Sequence, residues 1–324
     1  MGPRMLERIA VRPKEYVEAL GFSTYTFLTG KIVKLDLYKG GAERSLGEYL
    51  EHLIRGKLSE IALKKFLLER FGIECLLDLD LPTFIKGDYL PDILAFKTEK
   101  RWIIPKFWIE VKAVQEHQKW SLIRASSLRG GKRRNARPYD AYVNAMVHLP
   151  KNHLGRLIKH APSLKMRISK EWLERLQDLE CVEVDILGFA LYEDMTRILK
   201  AGEGDKEAED QLDKIFGSGG WAFIKKGSVL VNPETGRKTV KIGADNCAIT
   251  LSSLRATENE WKNLVNLLKE NRSTVEGRDL RAQGLLESQM ETALKVLEEK
   301  GFESWFRRAL NDGQRTLNNL FKLH

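Results

Sequence analysis

From about Ser45 to Arg70 the apolar residues Leu50, Leu53, Ile54, Ile61, Leu63, Phe66 and Leu67 recur at three- and four-residue steps, the spacing of one helix face. Ser45 followed by Glu48 has the spacing of a capping box, and Gly72 stands where a helix would end. The apolar runs that follow, at 73–81, 90–96 and 107–114, are too short for helices and are bounded by turn residues, as strands are. Further strand-like runs lie at 139–149 and 182–192, with a short helical pattern at 170–179 between them. The order is α, β, β, β, a basic helix or loop, β, α, β. That pattern excludes all-α and all-β folds and predicts a mixed α/β core over 45–200.

Residues 1–44 carry mixed signals and form an N-terminal segment with no assigned role. The stretch 201–220 is acidic and then Gly-rich, and is expected to be a linker. Beyond it, 221–231 and 239–250 read as two strands joined by a polar turn, and a helix is expected from Thr257, with Glu260 three residues on. Amphipathic helices follow at roughly 279–299 and 303–323. Residues 221–324 are therefore expected to form a smaller α+β domain that serves DNA binding or dimerisation.

The three cysteines, Cys75, Cys181 and Cys247, are isolated and lack metal-ligand spacing. This argues against a disulfide framework or a zinc ribbon and fits a reducing cytoplasm. No apolar run approaches the roughly 20 residues of a membrane-spanning helix, so no membrane role is expected.

Charge is concentrated. Between His117 and Lys170 stand thirteen Lys or Arg and one acid, Asp140, so this segment carries +12 against +9 for the whole chain and leaves the remainder at −3. A basic field this local is the footprint of a polyanion partner. Gly130, Gly131, Pro138, Pro150 and Pro162 interrupt it, so it does not form one long basic amphipathic helix of the membrane-surface kind. Nucleic acid is the expected partner. Lys119, Arg124, Arg129, Lys132, Arg133, Arg134 and Arg137 are the candidate phosphate contacts.

The chemistry centres on Pro91-Asp92 and, after seventeen intervening residues, Glu110-Val111-Lys112. Side chains alternate along a strand, so Glu110 and Lys112 share one face with Trp108 and Val114, while Ile109, Val111 and Ala113 make the other face apolar. Buried carboxylates and ammonium groups are costly unless paired or bound to a cation. Asp92 opens the apolar run Ile93-Leu94-Ala95-Phe96, and an antiparallel neighbour would bring it beside Glu110. Two such carboxylates suit Mg²⁺, a hard ion that prefers oxygen ligands. Lys112 would orient or deprotonate an attacking water and stabilise developing negative charge. Glu60 lies amid the apolar stripe of the upstream helix, where a lone glutamate has little structural reason to be. It would supply a third acidic ligand or orient a metal-bound water. The plainer alternatives are a structural Glu–Lys pair at 110 and 112 and a partly exposed Glu60.

This arrangement, with Glu60 on a helix, a Pro91-Asp92 strand and a Glu110-Val111-Lys112 strand, resembles the PD-(D/E)XK nuclease superfamily over about residues 45–150. The resemblance implies a restriction-endonuclease-like core, a mixed central sheet flanked by helices. It also implies Mg²⁺-dependent phosphodiester cleavage with Asp92 and Glu110 as metal ligands, Lys112 assisting and Glu60 as a helix glutamate. Among members, the stand-alone size and the extra C-terminal region look most like a type II restriction endonuclease, acting on double-stranded DNA as a homodimer. The alternatives are a structure-specific repair or recombination nuclease and a non-catalytic DNA-binding protein. His148, His153 and His160 fit no standard zinc spacing, and Arg129-Gly130-Gly131-Lys132 lacks the spacing of a nucleotide-binding loop.

Overall fold

The computed structural model describes residues 3–28, 38–39, 42–43, 46–80, 90–98, 101–129, 139–149, 181–231, 238–275 and 280–300. Strand β1 (Glu7–Val11) leads into helix α1 (Pro13–Leu28), whose first residue is a proline, at a position where the missing N–H has no helical partner to lose. Short strands β2 (Tyr38–Lys39) and β3 (Ala42–Glu43) pair antiparallel. Helix α2 (Leu46–Phe71) is the amphipathic segment expected from the sequence, and it buries Ile54, Leu58, Ile61 and Phe66. It stops at Gly72, whose φ of +66° suits glycine, with the Gly72 N–H on the Leu68 carbonyl at 3.0 Å. Ser45 lies outside the described residues, as does the pattern at 170–179.

Next come β4 (Glu74–Leu76), a 3-10 turn at Asp78–Asp80, β5 (Ala95–Lys97) and β6 (Trp102–Ile103). They make an antiparallel sheet of order β4-β5-β6. The expected strand at 90–96 is thus shorter, and Asp92 lies in a bend before it.

Strands β7 (Ile109–Val114) and β8 (Trp120–Arg124), the single turn α3 (Ala125–Leu128), β9 (Ala141–His148) and β10 (Val182–Leu191) follow. A four-stranded sheet has the order β1-β10-β9-β7, and β7 pairs with β9 in parallel. The remaining elements are α4 (Tyr192–Gly202), α5 (Lys206–Phe216), β11 (Trp221–Ile224), β12 (Val229–Val231), β13 (Lys238–Lys241), β14 (Asn246–Thr250), α6 (Glu258–Glu270) and α7 (Leu280–Lys300). The chain is therefore mixed α/β, with a mixed multi-strand sheet and flanking helices. Among the described residues no helix is long and apolar enough to cross a membrane.

The chain divides into two compact units. One consists of Met1–Glu7, Pro105–Met146 and Ile186–Gln283, and the other of Arg8–Ile104, Val147–Asp185 and Gly284–His324. The linker expected at 201–220 falls inside the first unit and is largely helical. Asp205 caps α5 by accepting from the Ala208 N–H at 3.1 Å, and Ala208, Leu212 and Phe216 bury one stripe. The core of the first unit gathers Val114, Ile123, Tyr142, Met195, Leu212 and Cys247. The expected C-terminal hairpin is present in two sections, β11 against β14 and β12 against β13, both antiparallel. Gly227, at φ +91°, turns the chain between them. Thr257 and Glu260 form the expected capping box, with the Thr257 N–H on Glu260 Oε2 at 2.8 Å and the Glu260 N–H on Thr257 Oγ1 at 3.3 Å. The helix expected at 303–323 lies outside the described residues.

Candidate active site

The sequence-predicted residues fall into two groups, Glu60 and Asp92 in one unit and Glu110 and Lys112 in the other. The strands of the two groups have different sheet neighbours. Strand β5, downstream of Asp92, has β4 and β6 as neighbours, whereas β7 pairs with β9. The antiparallel neighbour expected to set Asp92 beside Glu110 is therefore not β5.

In the first group, Glu60 and Lys57 stand one turn apart on α2 and are each only 6% exposed. The Lys57 ammonium donates to Glu60 Oε1 and Oε2 at 2.9 and 2.8 Å and to both Asp78 carboxylate oxygens at 2.8 Å. Its Nζ also lies 5.1 Å from the centre of the Phe22 ring. Asp78 comes from the 3-10 turn. Its neighbour Asp80 is fixed by Lys64 at 2.7 Å and by the Leu77 N–H at 2.9 Å. Burial works against charge on Lys57, but Asp78, Glu60 and Asp92 outweigh it and hold the ammonium above its ordinary range. Burial pushes the Glu60 carboxyl well above the usual carboxylate range. Lys57 pulls it down, while the negative charges of Asp92 and Asp78 push it up further. One ammonium thus bonds two carboxylates and feels the charge of a third. Neither Lys57 nor Asp78 was a predicted site residue. The signal for Lys57 was its place three residues before Glu60 on the same helix face.

The second group rests on β7. Glu110 and Lys112 project from the same face and form an ion pair, with side chains 22% and 35% exposed. The parallel register sets Tyr142 beside Glu110, Asn144 beside Lys112 and Met146 beside Val114. Tyr142 and Val114 enter the core of this unit. The Tyr142 hydroxyl accepts from the Tyr139 N–H at 3.3 Å, and burial together with the Glu110 charge holds the phenol above its ordinary range. The start of β9 is fixed by buried Asp140, which accepts from the Trp108 and Thr274 N–H groups at 2.6 Å each and from Ser273 Oγ at 3.0 Å. The opposite face of β7 is less apolar in its surroundings than expected. Ile109 is buried, Val111 is half-buried and Ala113 is exposed, because β7 lies at the edge of its sheet.

Of the basic residues, Lys119, Arg124 and Arg129 are described and exposed around β8 and α3. Arg129 is paired with Glu203 at 2.8 Å. Lys132, Arg133, Arg134, Arg137 and the basic residues from Lys151 to Lys170 lie outside the described residues, as do His153 and His160. His148 is paired with Asp185 at 2.7 Å, and Asp185 is also held by Arg8 at 2.7 Å. Among the described residues, no group of three or more His, Cys, Asp or Glu side chains is arranged to hold a metal ion. No family model, curated protein or solved structure matches the chain.

Proposed function

We propose that this protein is a Mg²⁺-dependent endonuclease of the PD-(D/E)XK kind that hydrolyses phosphodiester bonds of double-stranded DNA at specific sequences, in the manner of a type II restriction enzyme. The observation that carries the reading is the Glu110–Lys112 pair, half-buried on one face of β7 and bordered by the parallel strand β9. A carboxylate and an ammonium held together in a partly desolvated place act more strongly on a phosphate than the same groups in water. Further support comes from the sequence resemblance at Pro91-Asp92 and Glu110-Val111-Lys112, and from the basic field that begins directly after Lys112.

Asp92 and Glu110 are each half-buried carboxylates, and by donor chemistry each suits Mg²⁺. Glu60 fits poorly, since Lys57 already holds both its oxygens. When bound, the ion supplies charge to polarise the scissile phosphate and acidify a water. The chain's own part is to hold that chemistry in register. Lys112 orients the attacking water and balances charge on the phosphate, and Glu110 keeps the ammonium on the strand face until DNA arrives. Lys119, Arg124 and the basic residues beyond Gly130 draw the backbone in, a contribution that weakens with salt. A homodimer suits the task, because two antiparallel strands present the same cut twice by two-fold symmetry.

The test is incubation of the purified protein with plasmid and phage DNA in Mg²⁺ or in EDTA, beside Asp92→Ala and Lys112→Ala. Discrete Mg²⁺-dependent fragments that vanish in both variants support the reading. Salt-sensitive DNA binding without cleavage in all three proteins sinks it in favour of a binding protein. Cleavage confined to flaps or junctions transfers it to a structure-specific nuclease.

A further inference from the structure

Strand β9 carries, at its centre, a residue that neither packing nor pairing explains. Asn144 is fully buried, and asparagine is among the residues depleted from strands. Its Nδ2 donates to the Tyr142 carbonyl at 3.4 Å, at the outer limit of a hydrogen bond. Its Oδ1 meets no donor among the described residues. A buried acceptor left in that state is costly, and an aliphatic residue of similar size would avoid the cost. The residue beside it is Lys112, paired with it across the parallel strands. Partners in such a register project from the same face, so Asn144 and Lys112 are side by side on one face of the sheet. Lys112 has three donors, and Glu110 engages the ammonium through one oxygen.

We infer that Asn144 is a positioning residue for Lys112, with its Oδ1 accepting a hydrogen bond from the ammonium once Glu110 is engaged elsewhere. The inference deepens the nuclease reading and rests on it for its catalytic consequence. A carboxylate that shares its charge with substrate or cation loosens its hold on its lysine, and the rotamer entropy of a released Lys112 draws it into solvent. A neutral acceptor on the neighbouring strand keeps the ammonium on the strand face and, unlike a second carboxylate, leaves its charge unspent. The orphaned Oδ1 is then an acceptor whose donor arrives during turnover.

The experiment reads Lys112 directly. Acetic anhydride labelling of Lys112, followed by peptide mass spectrometry, is compared in wild type, Glu110→Gln, Glu110→Gln/Asn144→Leu and Glu110→Gln/Asn144→Asp. The Gln variant stands in for an engaged Glu110. Expected is slow labelling in wild type and in Glu110→Gln, with about tenfold faster labelling once Leu replaces Asn144, the size of a lost hydrogen bond to a charged group. The near-isosteric Asp, which keeps an acceptor, restores slow labelling, and it decides the matter if the Leu variant fails to fold. Equal rates in Glu110→Gln and its Leu double variant, or fast labelling in the Asp variant, overturn the inference. In cleavage, Asn144→Leu is expected to lower kcat about tenfold with KM unchanged. A wild type that cuts no DNA removes the nuclease reading, while the labelling ratios still decide the role of Asn144.

Discussion

Two groups built from the same residue types, one in each unit, differ in how completely their charges are spoken for. Around Lys57 one buried ammonium answers Glu60 and Asp78 directly and feels Asp92, with Phe22 under it. Around Lys112 one carboxylate answers one ammonium, both side chains are partly open, and a buried amide acceptor on the neighbouring strand meets no donor among the described residues. Burial separates the two. A closed ion cluster holds a helix to a turn and resists change, whereas an open pair with spare hydrogen-bonding capacity is free to engage a substrate. Acidic residues in an apolar setting are thus poor guides to chemistry until their partners are known.

The comparison breaks most visibly at the two lysines. Lys57→Met strands buried carboxylates and is expected to lower unfolding stability by about 3–5 kcal/mol in urea titration. Lys112→Met is expected to change stability by less than about 1 kcal/mol, because its pair is partly solvated. Similar losses at both sites would erase the distinction. In the nuclease assay the order reverses, and Lys112→Ala is expected to slow cleavage by roughly 10²–10⁴-fold.

A finer contrast lies in pH. The folded-state carboxyl of Glu60 is held above its unfolded value by burial, so its contribution is full below the ordinary carboxylate range and fades as pH rises through the folded value. Relative to Glu60→Gln, wild type should therefore gain stability on acidification from neutrality, as denaturant titration at several pH values would read. Asp185 behaves oppositely and more weakly. Burial opposes its charge, but Arg8 and His148 outweigh that and hold it below its ordinary value. Its contribution is present above the unfolded carboxylate range and is lost as pH falls through the folded one. Asp185→Asn is expected to cost under about 1 kcal/mol at neutral pH, and less in acid.

Much of the scaffold was legible because it is written in local rules. The end of α2 at Gly72, the capping box at Thr257 and the strand at β10 follow from spacing and from glycine conformation alone. The shared face of Glu110 and Lys112 follows from strand alternation. What escaped depends on partners distant in sequence. Asp78 reaches Lys57 across 21 residues, and nothing local marks Asp78 as that partner. Strand neighbours were likewise hidden, since apolar runs at 90–96 and 107–114 read alike whether or not they share a sheet. Helix α5 was missed for a different reason. Its acids and flanking glycines resemble a linker in composition, although Asp205 as its cap and apolar residues at 208, 212 and 216 carried the helical signal. Asn144 was overlooked because a polar residue in an apolar run reads as noise until its register partner is seen to be Lys112.

The way the first unit is threaded has a consequence for synthesis. Its opening residues are held by segments made far later. The Met5 N–H bonds the Ala256 carbonyl at 2.7 Å, and the Arg4 guanidinium reaches the Leu187 and Leu251 carbonyls at 2.9 Å. At roughly 5–20 residues per second of translation, about 12–50 s separate the emergence of Arg4 from that of its last partner. During that interval the leading end of the chain has no native place to go, so this unit closes only late on the ribosome, however fast its individual helices form.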